Sequence, residues 1–160
     1  NAARDDRHDW REVTPEYWDE RQATNLRHMF FAIQAVAPDM AAKGGGSIIN
    51  VSSVAAIAPG ASEVPYGIAK AGLNNLTSSL SRMLAPKVRV NCLMPGPFLT
   101  DISKAWPEET HDYFRKTIPM KRAGNPDEAV GAALYLASDL SSYTTGAVIK
   151  IDGGSTHAPA

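Results

Sequence analysis

Between Thr14 and Met40, apolar residues recur at the spacing of one helix face: Leu26, Met29, Phe30, Ile33, Val36, Ala37 and Met40. Thr14, Pro15 and Glu16 supply a hydroxyl cap, a first-turn proline and an acid at the positive end of the helix dipole. Gly44-Gly45-Gly46 ends that helix. The period then changes. Ser47 to Val51 (SIINV) is a short apolar run rich in β-branched residues, which predicts a buried strand. A loop of small residues, 52–62, leads to a second helix over about 65–84, with an apolar stripe at Ala69, Leu73, Leu76, Leu80 and Met83 and Pro86 at its end. Val88 to Met94 (VRVNCLM) predicts the next strand, ended by Pro95-Gly96-Pro97. The less regular stretch 98–124 holds a short helix around 108–116. Asn125, with Glu128 three residues on, starts a further helix running to about Ser138. Ala147 to Ile151 (AVIKI) predicts a last strand before Asp152-Gly153-Gly154, and residues 1–12 read as a polar, solvated lead-in.

Helices of ten or more residues alternating with strands imply parallel strands joined by right-handed crossovers, so the predicted class is α/β. Three strands are few for such a sheet, and one edge is expected to be open and apolar, as it would be if upstream strands were missing. The chain begins with Asn1 rather than Met, which fits a fragment whose natural start lies upstream.

Composition narrows the class further. The 160 residues carry 16 Lys+Arg against 17 Asp+Glu, a net charge of -1, with 44% hydrophobic residues, which suits one domain with a sizeable core. Near-neutrality and the lack of any basic run argue against nucleic acid as a partner. No apolar run approaches the ~20 residues of a membrane span, so no membrane partner is expected. The one cysteine, Cys92, cannot form an intrachain disulfide, and a reducing, cytoplasmic setting is the simpler expectation. His8, His28, His111 and His157 show no ligand spacing, so no metal site is predicted.

In open α/β sheets, functional groups gather beyond the carboxyl ends of strands. Ser52-Ser53 and Pro95 to Thr100 are the polar candidates there. The helix between them opens with Tyr66 and Lys70, whose i, i+4 spacing puts both on one face. A lysine ammonium within about 4–6 Å lowers a phenol's pKa from near 10, making tyrosine usable for proton exchange with a substrate hydroxyl or carbonyl. Ser53, arriving from the strand end, could bind the same oxygen. Alone, each signal is weak: Tyr-x-x-x-Lys arises by chance, paired serines cap loops, and Asn25 reads as a mildly unfavourable surface residue.

Their combination and order resemble the short-chain dehydrogenase/reductase family. The resemblance runs through Asn1-Ala2-Ala3, Thr24-Asn25-Leu26, Ile48-Ile49-Asn50-Val51-Ser52-Ser53, Tyr66-Gly67-Ile68-Ala69-Lys70-Ala71-Gly72, Pro95-Gly96-Pro97-Phe98-Leu99-Thr100 and Ile151-Asp152-Gly153-Gly154, across nearly the whole chain. It implies a Rossmann-type doubly wound sheet, a nicotinamide cofactor (NAD or NADP) and the catalytic set Asn25, Ser53, Tyr66 and Lys70. By that resemblance Tyr66 is the general acid/base, Ser53 orients the substrate carbonyl, and Lys70 lowers the Tyr66 pKa and binds the nicotinamide ribose. Asn25 would hold a water linking Lys70 to solvent. Ser53 is chosen over Ser52 for its position thirteen residues before Tyr66. Asn1 and Ala2, with Tyr66, Lys70, Pro95, Gly96, Phe98 and Thr100, are the implied cofactor-binding residues, and Ala3 replaces a family glycine.

No glycine-rich phosphate-binding turn occurs in the chain, nor the residue that separates NAD from NADP. The resemblance therefore covers about the C-terminal two-thirds of a member, expected to bind cofactor weakly and turn over little by itself. Asp5-Asp6-Arg7-His8 and Trp18 to Phe31 look similar to bacterial aldose dehydrogenases of the family, whereas the stretch from Ser53 onward looks more like 3-oxoacyl-carrier-protein reductases. A secondary-alcohol or sugar substrate is the first expectation and a 3-oxoacyl substrate the second. Lys104, Arg115, Lys116, Lys121 and Arg122 could form a basic patch for an acidic carrier protein. In the family the helices carrying Asn25 and Tyr66 pack against their copies, which implies a homodimer or homotetramer. A catalytically inert interaction module or fragment is the alternative. Trp106, Tyr113 and Phe114 are either core or contacts of a mobile substrate lid.

Overall fold

A computed structural model of the chain describes Arg4 and residues 7–157, with the backbone alone at Ile102, Ala105 and His157. Thr14 caps α1 (Pro15–Gln22), its Oγ1 accepting the Tyr17 N–H at 3.2 Å. The long amphipathic pattern predicts one unbroken helix, but α1 and α2 (His28–Ala42) are separated by a π turn, Ala23–Arg27. The wider turn shifts the helical phase. Within α2 the buried row is Met29, Ile33 and Ala37, whereas Phe30 and Val36, placed on the predicted apolar face, flank it and are 39% and 48% exposed, because the covered stripe is narrower than the apolar pattern. Gly44 and Gly45 then turn the chain with φ of 107° and 116°. A Cβ on Gly45 would collide with the Lys87 carbonyl, so that turn requires glycine.

The strands are β1 (Gly46–Val51), β2 (Val88–Pro95) and β3 (Val148–Ile151), with α3 (Val64–Leu84) between the first two. After β2 come α4 (Glu108–Thr117) and α5 (Val130–Ala137), the latter preceded by a tight turn at Pro126–Ala129. At that turn the Glu128 carboxylate accepts the Asn125 N–H at 2.7 Å. The sheet is parallel throughout, in the order β1-β2-β3, with Gly46 opposite Val88 and Cys92 opposite Val148. Among the described residues no strand pairs with the outer edge of β1.

Alternation along the strands sorts side chains to two faces. Ile48, Val88 and Val90 pack with Ile33, Ala37, Leu76 and Leu80 of α2 and α3. Met83, placed on the predicted stripe, lies outside this core and is 75% exposed. On the other face Ser47 donates to the Leu136 carbonyl at 2.7 Å, and Arg89 reaches the end of α5. Its guanidinium donates to the Leu136 carbonyl (3.1 Å), the Ser141 hydroxyl (2.7 Å) and the Ser138 carbonyl (3.2 Å), a cation at the negative end of the helix. Arg89→Met is expected to lower stability by about 2–3 kcal/mol, read from the urea midpoint, because carbonyls at the α5 end lose charged donors. No helix among the described residues is long and apolar enough to cross a membrane.

Candidate active site

Tyr66 and Lys70 lie on the first two turns of α3, and the Lys70 Nζ stands 5.5 Å from the Tyr66 ring centroid. Lys70 is 1% exposed, and its ammonium donates to the Val51 carbonyl at 3.0 Å. Burial pushes the Lys70 pKa below the ordinary lysine value, with the nearby Cys92 working in the other direction. The folded pKa is thus the lower one. Between it and the unfolded value near 10.4 Lys70 binds more proton in the unfolded chain, so its contribution to stability rises with pH through that window. Held charged below the window, Lys70 costs the fold stability.

Ser52 and Ser53 point to opposite sides of the extended backbone at the end of β1. Ser53 caps the tight turn Val54–Ala56, accepting the Ala55 N–H at 3.2 Å, while the buried Ser52 hydroxyl donates to the Lys70 carbonyl at 3.0 Å. The Ser53 turn rests directly on the first turn of α3. A Cβ on Gly67 would sit 2.9 Å from the Ala55 carbonyl oxygen and 3.1 Å from the Pro59 Cβ. Alanine at a helical glycine ordinarily gains about 1 kcal/mol, but here backbone must move. Gly67→Ala is expected to leave the melting temperature nearly unchanged and to lower turnover about tenfold by displacing the turn capped by Ser53, which the resemblance makes part of the site. Paired thermal melts and steady-state kinetics check this.

Asn25 sits inside the π turn and is fully buried, contrary to its reading as a surface residue. Its Nδ2 donates to the Arg4 and Arg21 carbonyls, both at 3.0 Å, and its Oδ1 accepts the Arg4 N–H at 3.1 Å. Both amide protons are therefore engaged in clamping the segment at Arg4 onto α1. The water that the resemblance gives to Asn25 would have to be held by an oxygen. Two further contacts bring this turn to α3: Gln22 Nε2 donates to the Pro65 carbonyl at 2.9 Å, and Leu26 packs against Gly72. Turns that widen a helix in this way recur at functional sites.

The loop 95–100 leaves β2 beside the end of β1. Gly96 N–H donates to the Ile151 carbonyl at 2.9 Å, and a side chain at Gly96 would meet the Asp152 backbone at 2.9 Å. Phe98 bridges to Gly124, whose N–H donates to the Pro97 carbonyl at 3.0 Å and whose carbonyl accepts the Leu99 N–H at 2.8 Å. Leu99, Thr100, Asp101, Ser103, Lys104 and Pro126 line an open groove of about 540 Å³ next to this loop. Asn1 and Ala2 lie outside the described residues. Asp152 pins the last turn, its Oδ1 accepting from Gly154 N–H (3.0 Å) and its Oδ2 from Thr156 N–H (3.1 Å).

Beyond the groove, Trp106 and Phe114 meet edge to face at 5.4 Å, while Tyr113 is exposed. Most of the supposed basic patch is neutralised locally. Lys104 pairs with Asp101 (2.6 Å), Arg115 with Asp112 (2.6 Å) and Arg122 with Glu128 (2.7 Å). Sequence reasoning passed over Ser52 and Gly67. Gly67 stands inside the Tyr-to-Lys motif, where a glycine in a helix was the signal available.

The sequence profile of the enoyl-(acyl carrier protein) reductase group matches residues 1–156. A protein named "Probable galactose dehydrogenase GalD" from Rhizobium meliloti (strain 1021) is 46% identical over 158 residues, 96% of this chain and 61% of its own length. The chain belongs to the short-chain dehydrogenase/reductase family. Caulobacter vibrioides D-xylose 1-dehydrogenase is 41% identical, across 96% of this chain and 63% of its own length. A gluconate 5-dehydrogenase structure from Burkholderia cenocepacia J2315, in complex with NADP and tartrate, superposes with a TM-score of 0.94 at 33% identity, covering 99% of this chain and 64% of its own. The chain thus spans about three-fifths of the length of these family relatives, and its parallel sheet with helices is a part of the family's Rossmann-type fold.

Proposed function

We propose that this protein interconverts a secondary alcohol or sugar hydroxyl and the corresponding carbonyl, with NAD or NADP as cofactor. The observation that carries the reading is the buried Lys70 ammonium 5.5 Å from the Tyr66 ring, at the carboxyl end of a parallel sheet.

The donor set suits the nicotinamide end of a dinucleotide. Lys70 spends one of its three N–H bonds on Val51, leaving two for ribose hydroxyls. The loop at Pro95, Gly96, Phe98 and Thr100 lies across the strand ends from it and offers backbone groups and a hydroxyl to a carboxamide. When bound, the dinucleotide supplies or accepts the hydride. The chain's own residues handle the proton. In the direction of alcohol oxidation, Tyr66 takes the hydroxyl proton on its phenolate oxygen, and in reduction it returns that proton to the carbonyl oxygen. Lys70 favours the phenolate through its charge, and Ser53 Oγ orients the same substrate oxygen. Asn25 ties the segment at Arg4 to α1 within the π turn that Gln22 and Leu26 hold against α3, and a carbonyl there is where a relaying water would bind.

A sugar is the favoured substrate class, because relatives matched along nearly the whole chain carry the names galactose dehydrogenase and D-xylose 1-dehydrogenase. The ion pairs at Lys104, Arg115 and Arg122 weigh against an acyl-carrier-protein substrate. A homo-oligomer in the cytoplasm completes the reading, supported by exposed Phe31 on α2 and Ile68 on α3, apolar surface on the two helices that the family packs against their copies. The test is to supply the purified protein, as its gene encodes it, with NAD or NADP and a panel of aldoses, secondary alcohols and 3-oxoacyl thioesters. Reduction of cofactor by an aldose or secondary alcohol is expected. Activity confined to the thioesters would transfer the assignment to the reductase alternative, and none on any member would sink the oxidoreductase reading.

A further inference from the structure

We propose that Ser52 is a positioning residue for the Tyr66–Lys70 pair, fixing through a backbone carbonyl the place of the lysine that tunes the phenol. The proposal rests on the oxidoreductase reading only for its consequence in turnover. The geometry stands apart from it.

Ser52 shares the α3-facing row of β1 with Ile48 and Asn50, one step from Ser53 on the opposite side. Its own place is fixed by β2, since its N–H donates to the Leu93 carbonyl at 2.8 Å, and its side chain is buried. From there the hydroxyl donates to the Lys70 carbonyl at 3.0 Å. In return the Lys70 ammonium donates to the carbonyl of Val51, the residue before Ser52, also at 3.0 Å. Two bonds of opposite direction therefore join one peptide at the strand end to one residue of α3. Together they prevent residue 70 from sliding or rolling against the sheet, and Tyr66 lies one turn earlier on the same rigid helix.

The hydroxyl is not needed to satisfy the backbone. Lys70 lies well inside α3, where its carbonyl is the ordinary acceptor for the N–H four residues on, so alanine at 52 would strand no buried polar group. What the hydroxyl adds is placement. The molecule carries its own control two turns further along α3. There Asn50 Nδ2 donates to Thr77 Oγ1 at 2.9 Å, and Thr77 Oγ1 donates to the Leu73 carbonyl at 2.9 Å. This is the same kind of tie between β1 and α3, made away from Tyr66.

The experiment compares Ser52→Ala, Ser52→Thr and Thr77→Ala in the protein as its gene encodes it. The ionisation of Tyr66 is read by ultraviolet difference titration against Tyr66→Phe, and kcat and KM are measured across pH. Ser52→Ala is expected to raise the Tyr66 midpoint by about one pH unit as the lysine loosens. It should lower kcat about tenfold with KM little changed, as misplacement of a reacting group does. Ser52→Thr, which keeps the hydroxyl, should restore both, and Thr77→Ala should lower the melting temperature without moving either. Should Ser52→Ala fail to fold, Ser52→Cys retains the volume with a weak donor and carries the same expected shift. An unmoved Tyr66 midpoint in the Ser52 variant, or an equal shift in Thr77→Ala, overturns the proposal. A shifted midpoint in a protein that turns over none of the substrates supports the positioning and removes the dehydrogenase reading instead.

Discussion

Tyr66→Phe is expected to lower turnover by about 10³-fold, within the range that a positioned general acid/base contributes. Phenylalanine keeps the ring and its 5.5 Å relation to Lys70, and removes only the oxygen proposed to exchange the proton. KM for substrate and the affinity for cofactor should change far less than kcat, since the ribose contacts assigned to Lys70 remain. Steady-state kinetics with a cofactor-binding titration separate the two. Activity within a few-fold of the parent would mean that the phenol takes no part in the reaction, and the site would need another proton carrier.

Lys70→Met is expected to cut turnover by about 10²-fold or more, through loss of the charge that favours the phenolate, while the melting temperature stays level or rises. Lysine at this place is 1% exposed, has its pKa depressed by burial, and receives one backbone carbonyl and the Tyr66 ring, 5.5 Å away, in exchange for water. Methionine fills similar space without the desolvation cost. The sign of the titration agrees. In the parent, Lys70 contributes a climb in stability as pH rises from its folded pKa toward about 10.4, where the unfolded state still binds the proton, against a fall from Cys92, whose thiol burial pushes up. In the variant that climb should vanish. Urea unfolding of both proteins at several alkaline pH values measures the difference. A large loss of stability in the variant would show that Lys70 serves the fold rather than the chemistry.

The order of helices and strands was legible because periods of 3.6 and 2 are each imposed by one covered face. Strand limits came within a residue because β-branched runs here end at Gly45, Pro95 and Asp152, which the backbone itself requires or favours there. The π turn at 23–27 was not legible: one extra residue leaves the apolar spacing on each side intact and alters only the phase between them. Phe30, Val36 and Met83 were misplaced for a related reason, since an apolar residue does not announce whether its side of the helix is covered. Of the candidate site, Tyr66 and Lys70 could be placed together from i, i+4 spacing alone. The ties that hold them could not. Val51 and the Lys70 carbonyl are backbone partners, and main-chain atoms carry no mark in a sequence. The pairing of Lys104, Arg115 and Arg122 with acids was equally hidden, although each partner lies within six residues.

Parallel pairing sets how much chain must be closed before these parts can come together. Residues 46 and 88, and then 92 and 148, must meet across forty-two and fifty-six residues of chain before either ladder forms. Closing such distances precedes any reward from the contacts, which makes folding slow relative to helical proteins of this size. Once β1 and β2 have paired around α3, the tyrosine, the lysine and both serines already stand in place. The loop at 95–100 does not, because its anchors, the Ile151 carbonyl and Gly124, belong to chain that docks with β3. The Tyr66–Lys70 pair and the loop at 95–100 thus depend on different parts of the chain, the first on β1, β2 and α3 and the second on the segment that carries β3.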